Sequence, residues 1–151
     1  MSMISVTARI EAANNPEAER FAALNREATA AKRAGDLTRA CELLCQAKAI
    51  EGDQYADTRL AKFLQQAGRL DEALAEIQWL LDHSQAHVQG MEGGAAEVQY
   101  MRVSHVLAVH DAALMICKRA GRTDLQAQYA ERRERYAALH KKLKAIAGVD
   151  W

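Results

Sequence analysis

Neither acid nor base prevails in this chain of 151 residues: twenty Lys plus Arg stand against twenty Asp plus Glu, and the net charge is zero. No overall field recruits nucleic acid or an anionic membrane, so any such contact has to be local. Proline occurs once, as Pro16, and aromatic residues make up only 5%. With 31 alanines in the same chain, this bias favours helix and removes the usual material of strands. All-β and α/β folds are close to excluded, and the expected fold class is all-α. No stretch reaches the roughly 18 apolar residues of a spanning helix, and the opening MSMISVTARIEAANNPEAER holds no apolar core of a signal peptide. A cytoplasmic protein without membrane contact is expected. The phosphate-loop, dinucleotide, nucleophile-elbow, zincin and calcium-loop patterns are all missing, which leaves enzyme readings and bound cofactors without a foothold.

Cysteine is scarce and odd in number. Cys41, Cys45 and Cys117 show no C-x-x-C spacing. Cys41 and Cys45 fall four apart on a predicted helix, where Cβ atoms are about 5 to 6 Å apart, wider than the roughly 3.8 Å of a disulfide. They read as reduced thiols that serve as small apolar core residues.

After an N-terminal arm of residues 1–14, Asn15-Pro16 opens a helix with Glu17 and Glu19 in its first turn. Gly35 stops it, and Asp36 is placed to cap a second helix, Leu37 to about Ile50, with Leu37, Ala40, Cys41, Leu44 and Ala47 on one face. A third helix is expected from about Gln54 to Ala67 and ends at Gly68. A fourth carries an apolar stripe from Leu70 to Val88, and Gln89 to Gly94 is a loop. The fifth helix, about Ala95 to Ala120, has two apolar stripes, one through Val103, Leu107, Leu114 and Cys117 and the other through Val98, Met101, Val109, Ala112 and Ile116. An element apolar on two faces is packed on two sides. Thr123 with Gln126 forms a capping-box pattern for a sixth helix, about Asp124 to Ala147, whose single seam of Leu125, Tyr129, Tyr136, Leu139, Leu143 and Ile146 includes Arg132.

A shift of 33 residues places Arg26, Ala28, Ala34, Gly35, Leu37 and Ala40 on the identical Arg59, Ala61, Ala67, Gly68, Leu70 and Ala73. A third copy starts with KRAG at 118–121, repeating 32–35, and Ala127 matches Ala40 if one residue is inserted. Residues 15–151 then read as a single α-helical repeat domain of three helical hairpins.

These segments resemble the tetratricopeptide repeat family, whose unit is a helix, a turn and a helix over about 34 residues. Small residues sit where paired helices approach most closely, at Ala28, Ala40, Ala47, Ala61 and Ala73, and Gly35-Asp36 and Gly68-Arg69 match the inter-helix turn. The pattern departs from the family where Gly52 replaces a frequent proline, where the Trp-Leu-Gly signature is missing, and where the third turn follows the second by 53 residues. The resemblance implies a right-handed array of three antiparallel hairpins with long last helices. It also implies a concave face lined by the first helix of each pair: Asn25, Thr29 and Lys32, then Thr58, Arg59, Lys62 and Gln66, then Asp111 and Lys118. Such a face would hold an acidic segment of a partner protein. The family's carboxylate-clamp pattern is not reproduced at Asn25 and Thr29. LAKFLQQAGRLDEALAEIQWLL also looks like small bacterial immunity-type proteins, so an adaptor, a chaperone or a toxin-neutralising immunity protein is implied.

Three further features stand apart from the repeat. Trp79 lies away from the main stripe of its helix, which makes it a candidate binding hot spot. His83 and His87, four apart, share a face that would suit zinc if a carboxylate such as Glu92 joined them. Residues 118–151 hold nine Lys plus Arg against four Asp plus Glu, and the run Arg132, Arg133, Arg135, Lys141, Lys142 and Lys144 suits either a solvated outer face or an acidic partner. A nucleic-acid-binding or zinc-dependent module is the competing reading, and nucleic acid is the less expected partner.

Overall fold

The structure, a computed structural model, describes residues 15–148; the arm expected over residues 1–14 lies outside them. All regular structure among the described residues is helical. The helices are α1 (Pro16–Arg33), α2 (Leu37–Glu51), α3 (Arg59–Gln66), α4 (Leu70–Asp82), α5 (Ser84–Val88), α6 (Ala95–Arg119) and α7 (Thr123–Ala147), with a 3-10 turn at Gly52–Gln54. By its internal contacts the chain divides into two compact units, Met1–Gly52 and Asp53–Trp151.

In the first unit, Asn15 caps α1 by accepting the backbone N–H groups of Glu17 (3.1 Å) and Ala18 (3.3 Å), and Pro16 sits where its missing donor costs nothing. Asp36 caps α2 by accepting the Arg39 N–H at 3.0 Å. The two helices pack on each other through residues small enough for close approach, with Ala28, Ala40, Leu44 and Ala47 fully buried. Cys41 is buried as expected, whereas Cys45 is exposed, and all three cysteines are free thiols.

One turn recurs three times. After α1, the Asp36 N–H donates to the Ala31 carbonyl (2.9 Å) and the Gly35 N–H to that of Lys32 (3.0 Å). After α3, Arg69 donates to Leu64 (2.9 Å) and Gly68 to Gln65 (3.0 Å). After α6, Arg122 donates to Cys117 (2.9 Å) and Gly121 to Lys118 (3.2 Å). This is the Schellman closure, which requires a left-handed residue; Gly35, Gly68 and Gly121 supply it at φ 82°, 79° and 68°. The carbonyls of Asp36, Arg69 and Arg122 then accept the first bond of the next helix, from Ala40, Ala73 and Gln126.

In the second unit α6 packs against α3, α4 and α5 and also against α7, so the two-sided burial expected of it holds. Val103, Val106, Val109, Ala113, Ile116 and Cys117 are buried, but Met101 is exposed rather than part of a stripe. Helix α7 runs antiparallel to α6. Arg133 meets Asp111 at 2.6 Å, and seven residues away in each helix His140 meets Ser104 at 2.8 Å. Only Tyr129 of α7 is fully buried, and among the described residues α7 packs on α6 alone, as a single seam implies.

Several boundaries differ from those read in the sequence. The third helix starts at Arg59 rather than Gln54, because Asp57 accepts the Arg59 N–H at 2.8 Å and ends an extended stretch whose Tyr55 is buried. The fourth breaks at His83, whose ring Nδ1–H and backbone N–H both go to the Trp79 carbonyl, at 2.8 and 3.0 Å. The capping box at Thr123 does not form. Thr123 is already helical, Arg122 holds the cap position without a side-chain cap bond, and the Arg122 guanidinium pairs instead with Asp124 at 3.1 Å. Ala127, the expected counterpart of Ala40, is exposed, so the third pair shares the turn of the others but not their close-packed small residue.

The turn makes a clean test of backbone strain, since a Cβ on Gly68 would meet nothing within 4 Å. Gly68→Ala is expected to cost about 1 to 2 kcal/mol through the left-handed backbone alone, read as a lower urea midpoint with an unchanged slope. An unchanged midpoint would show that the turn is not held left-handed.

Candidate functional site

The break at His83 is the origin of most of the polar chemistry in the second unit. His83 stacks on Trp79 with ring centroids 3.8 Å apart, and Tyr55 tilts against the same indole at 6.2 Å. Trp79 is therefore half-buried in an aromatic cluster, not a free-standing anchor. The Nε2 of His83 lies 3.6 Å from Asp53, while His87 turns to the Gln54 carbonyl (3.4 Å) and to the ring of His105 (4.5 Å). The two rings expected to share a zinc ion thus have separate partners. Among the described residues no three His, Cys, Asp or Glu side chains are grouped to hold a metal. In the loop expected over Gln89 to Gly94, Glu97 folds back over Gly93, its Oε2 standing 2.9 Å from where a Cβ on that glycine would be.

Helices α4 and α7 both pack on α6, and between them lies a pocket of about 230 Å³. Its walls are Gln78, Leu81 and Asp82 from α4, Ser84 from α5, Arg102, Val106 and His110 from α6, and Arg132 and Tyr136 from α7. Arg102 is set by neutral partners, donating from Nε to Gln99 (2.9 Å) and from Nη1 to the buried Ser84 hydroxyl (3.3 Å). Arg132 lies over the Tyr129 ring, 5.0 Å from its centroid. Neither arginine pairs with a carboxylate among the described residues. Asp82, the one acidic group in the wall, accepts from the Gln78 amide at 2.8 Å.

His110, only 1% exposed, completes this pocket. Its Nδ1–H donates to the Val106 carbonyl at 2.8 Å, which leaves Nε2 as a buried acceptor without a hydrogen-bond partner. Burial lowers its pKa, the bond to Val106 opposes this, and the Arg132 charge adds to the lowering. At neutral pH the ring is uncharged. A buried polar atom left without a partner costs about 1 to 3 kcal/mol.

The residues assigned to a concave face have varied surroundings. On α1, Asn25 donates to the Phe21 carbonyl (2.9 Å) and Thr29 to that of Asn25 (3.1 Å), and Lys32 is exposed. At the start of α3, Thr58 holds the cap position without a side-chain bond and Arg59 pairs with Asp57 at 2.7 Å, while Lys62 and the exposed Gln66 follow at helical spacing. On α6, Asp111 is taken by Arg133 and Lys118 is exposed. The structure brings α3 and α6 together within the second unit. The pocket residues Ser84, Arg102 and His110 were not legible as a group in the sequence. The one sign of them was Arg132, a cation on an apolar stripe. Comparison with protein-family models, curated proteins and solved structures gives no match.

Burial, with a smaller contribution from the neighbouring His87, pushes the pKa of His105 down to about 4. Between that value and the unfolded value of about 6.5 the unfolded chain binds the extra proton, so stability rises with pH across this window and is complete above it. Because His105 is part-exposed, the slope should stay below ~1.4 kcal/mol per pH unit. Urea unfolding at about pH 5 and about pH 7 measures it. His105→Leu should flatten the difference, and an undiminished pH dependence in that variant would place the titrating group elsewhere.

Proposed function

We propose that this chain is a helical-hairpin protein of the tetratricopeptide-repeat kind that binds, masks or scaffolds one partner protein without catalysing a reaction. One observation carries the reading: the two longest helices leave apolar side chains uncovered, with Met101 44%, Met115 39%, Leu139 38% and Ile146 73% exposed. Arg132, Arg135, Tyr136 and Leu139 also line a groove of about 290 Å³ on α7. Methionine, tyrosine and arginine are the residues enriched where proteins meet. The exposed Lys141 and Lys142 on the same helix favour an acidic partner.

The arginines of α7 give less support to a nucleic-acid reading. Arg133 is paired with Asp111 and Arg135 with Glu131, at 2.6 and 3.0 Å, so their charges are already balanced locally. An adaptor, a chaperone and a toxin-neutralising immunity protein all fit a small helical unit whose contacts lie on its outer helix.

The test is the native mass of the protein taken from its own cells. Wild type and Lys62→Glu are expected in one heavier, salt-resistant complex, and the pair Leu139→Asp with Ile146→Asp should weaken it at least tenfold, about 1.4 kcal/mol. Loss in Lys62→Glu alone would move the contact to the first helices of the pairs. A bare monomer in every sample, or RNA released by salt, would overturn the proposal.

A further inference from the structure

The pocket between α4 and α7 shares Arg132 and Tyr136 with the groove on α7 but adds Asp82, Arg102 and His110, which that groove lacks. Arg102 and Arg132 bring two positive charges with no carboxylate partner among the described residues, from two different helices. Asp82 brings one negative charge at the α4 side. The buried Nε2 of His110 can only accept a hydrogen bond, because Nδ1 carries the proton given to Val106.

These requirements narrow the ligand. A dianion would meet the repulsion of Asp82, and a cation that of the two guanidinium groups. A simple carboxylate would satisfy the arginines but leave the Asp82 charge without a cation. A molecule that carries a carboxylate and an ammonium on one carbon meets all of them. The volume, about 230 Å³, falls below the roughly 300 Å³ at which drug-sized pockets begin, so the molecule is small. We propose that this pocket binds a free α-amino acid, its carboxylate held by Arg102 and Arg132 and its ammonium by Asp82. The Ser84 hydroxyl, which accepts from Arg102, and the Gln78 amide, which donates to Asp82, hold two of these groups in place.

The proposal can be tested with the full chain and a panel of the standard free amino acids, each added up to ~10 mM, with binding followed by calorimetry and by the imidazole nitrogen resonances of His110. At least one amino acid should bind and move the Nε2 resonance. Its N-acetyl derivative, which lacks the ammonium, and its amide, which lacks the carboxylate, should each bind at least tenfold more weakly. Asp82→Asn changes an exposed side chain and Arg132→Gln a half-buried one; both should keep the wild-type helix content and lower affinity at least tenfold. Three results would overturn the proposal: no binding by any member of the panel, equal binding of the N-acetyl derivative, or unchanged affinity in both variants. None of them bears on whether α7 meets a protein partner, so the two readings stand or fall separately.

Discussion

Each first helix of a pair has to stop and hand over to the next within three residues, and an L-residue with a side chain resists the backbone that this needs. Gly35, Gly68 and Gly121 remove the obstacle. Each places two amide protons on carbonyls that the helix end would otherwise leave bare, and the following residue starts the next helix with its own carbonyl. The entry of α2, α4 and α7 is thereby tied to the exit of α1, α3 and α6. The burial of Ala28 and Ala40 in one pair, and of Ala61 and Ala73 in another, comes after that constraint.

Within the second unit, α6 is the element around which the others are arranged, and the polar pocket follows from it. Helices α4 and α7 both pack on α6 and not on each other. Water-facing groups from both sides are left to line the gap. The break at His83 adds the rest, since it starts α5 with Ser84 buried against Arg102. Three charged groups, one neutral imidazole and three amides or hydroxyls are thus brought together by a packing arrangement, not by a contiguous stretch of chain.

The amount of this that the sequence disclosed depended on whether a feature was local. The glycine turns, the Asn15 and Asp36 caps and the long α6 and α7 are set within a few residues, and they were read from spacing. The spacing puts the start of α3 too early, because it is Asp57 that accepts the N–H of the first helical residue, Arg59. The spacing predicts a continuous fourth helix because the stripe through Leu80 and Val88 survives the break at His83. The spacing of His83 and His87 carries no sign that the rings have different neighbours, Asp53 and His105, which lie far away in sequence. The pocket was invisible for the same reason: Asp82, Arg102 and Arg132 acquire meaning only once α4, α6 and α7 are in place.

The interior is filled to an unusual degree by the smallest side chain that still favours helix. Ala28, Ala40, Ala47, Ala61, Ala73 and Ala113 have no accessible surface at all, so the helices that carry them have no slack between them. Mutational drift in such an interior is one-sided. A Leu or Ile position can shrink and recover through a neighbour that grows, whereas a buried alanine can only grow, and growth forces the backbones apart. The outer surface of α7, where Leu139 and Ile146 stand in the open, is under no such restriction. Related chains should therefore keep their alanines while changing the face that they present.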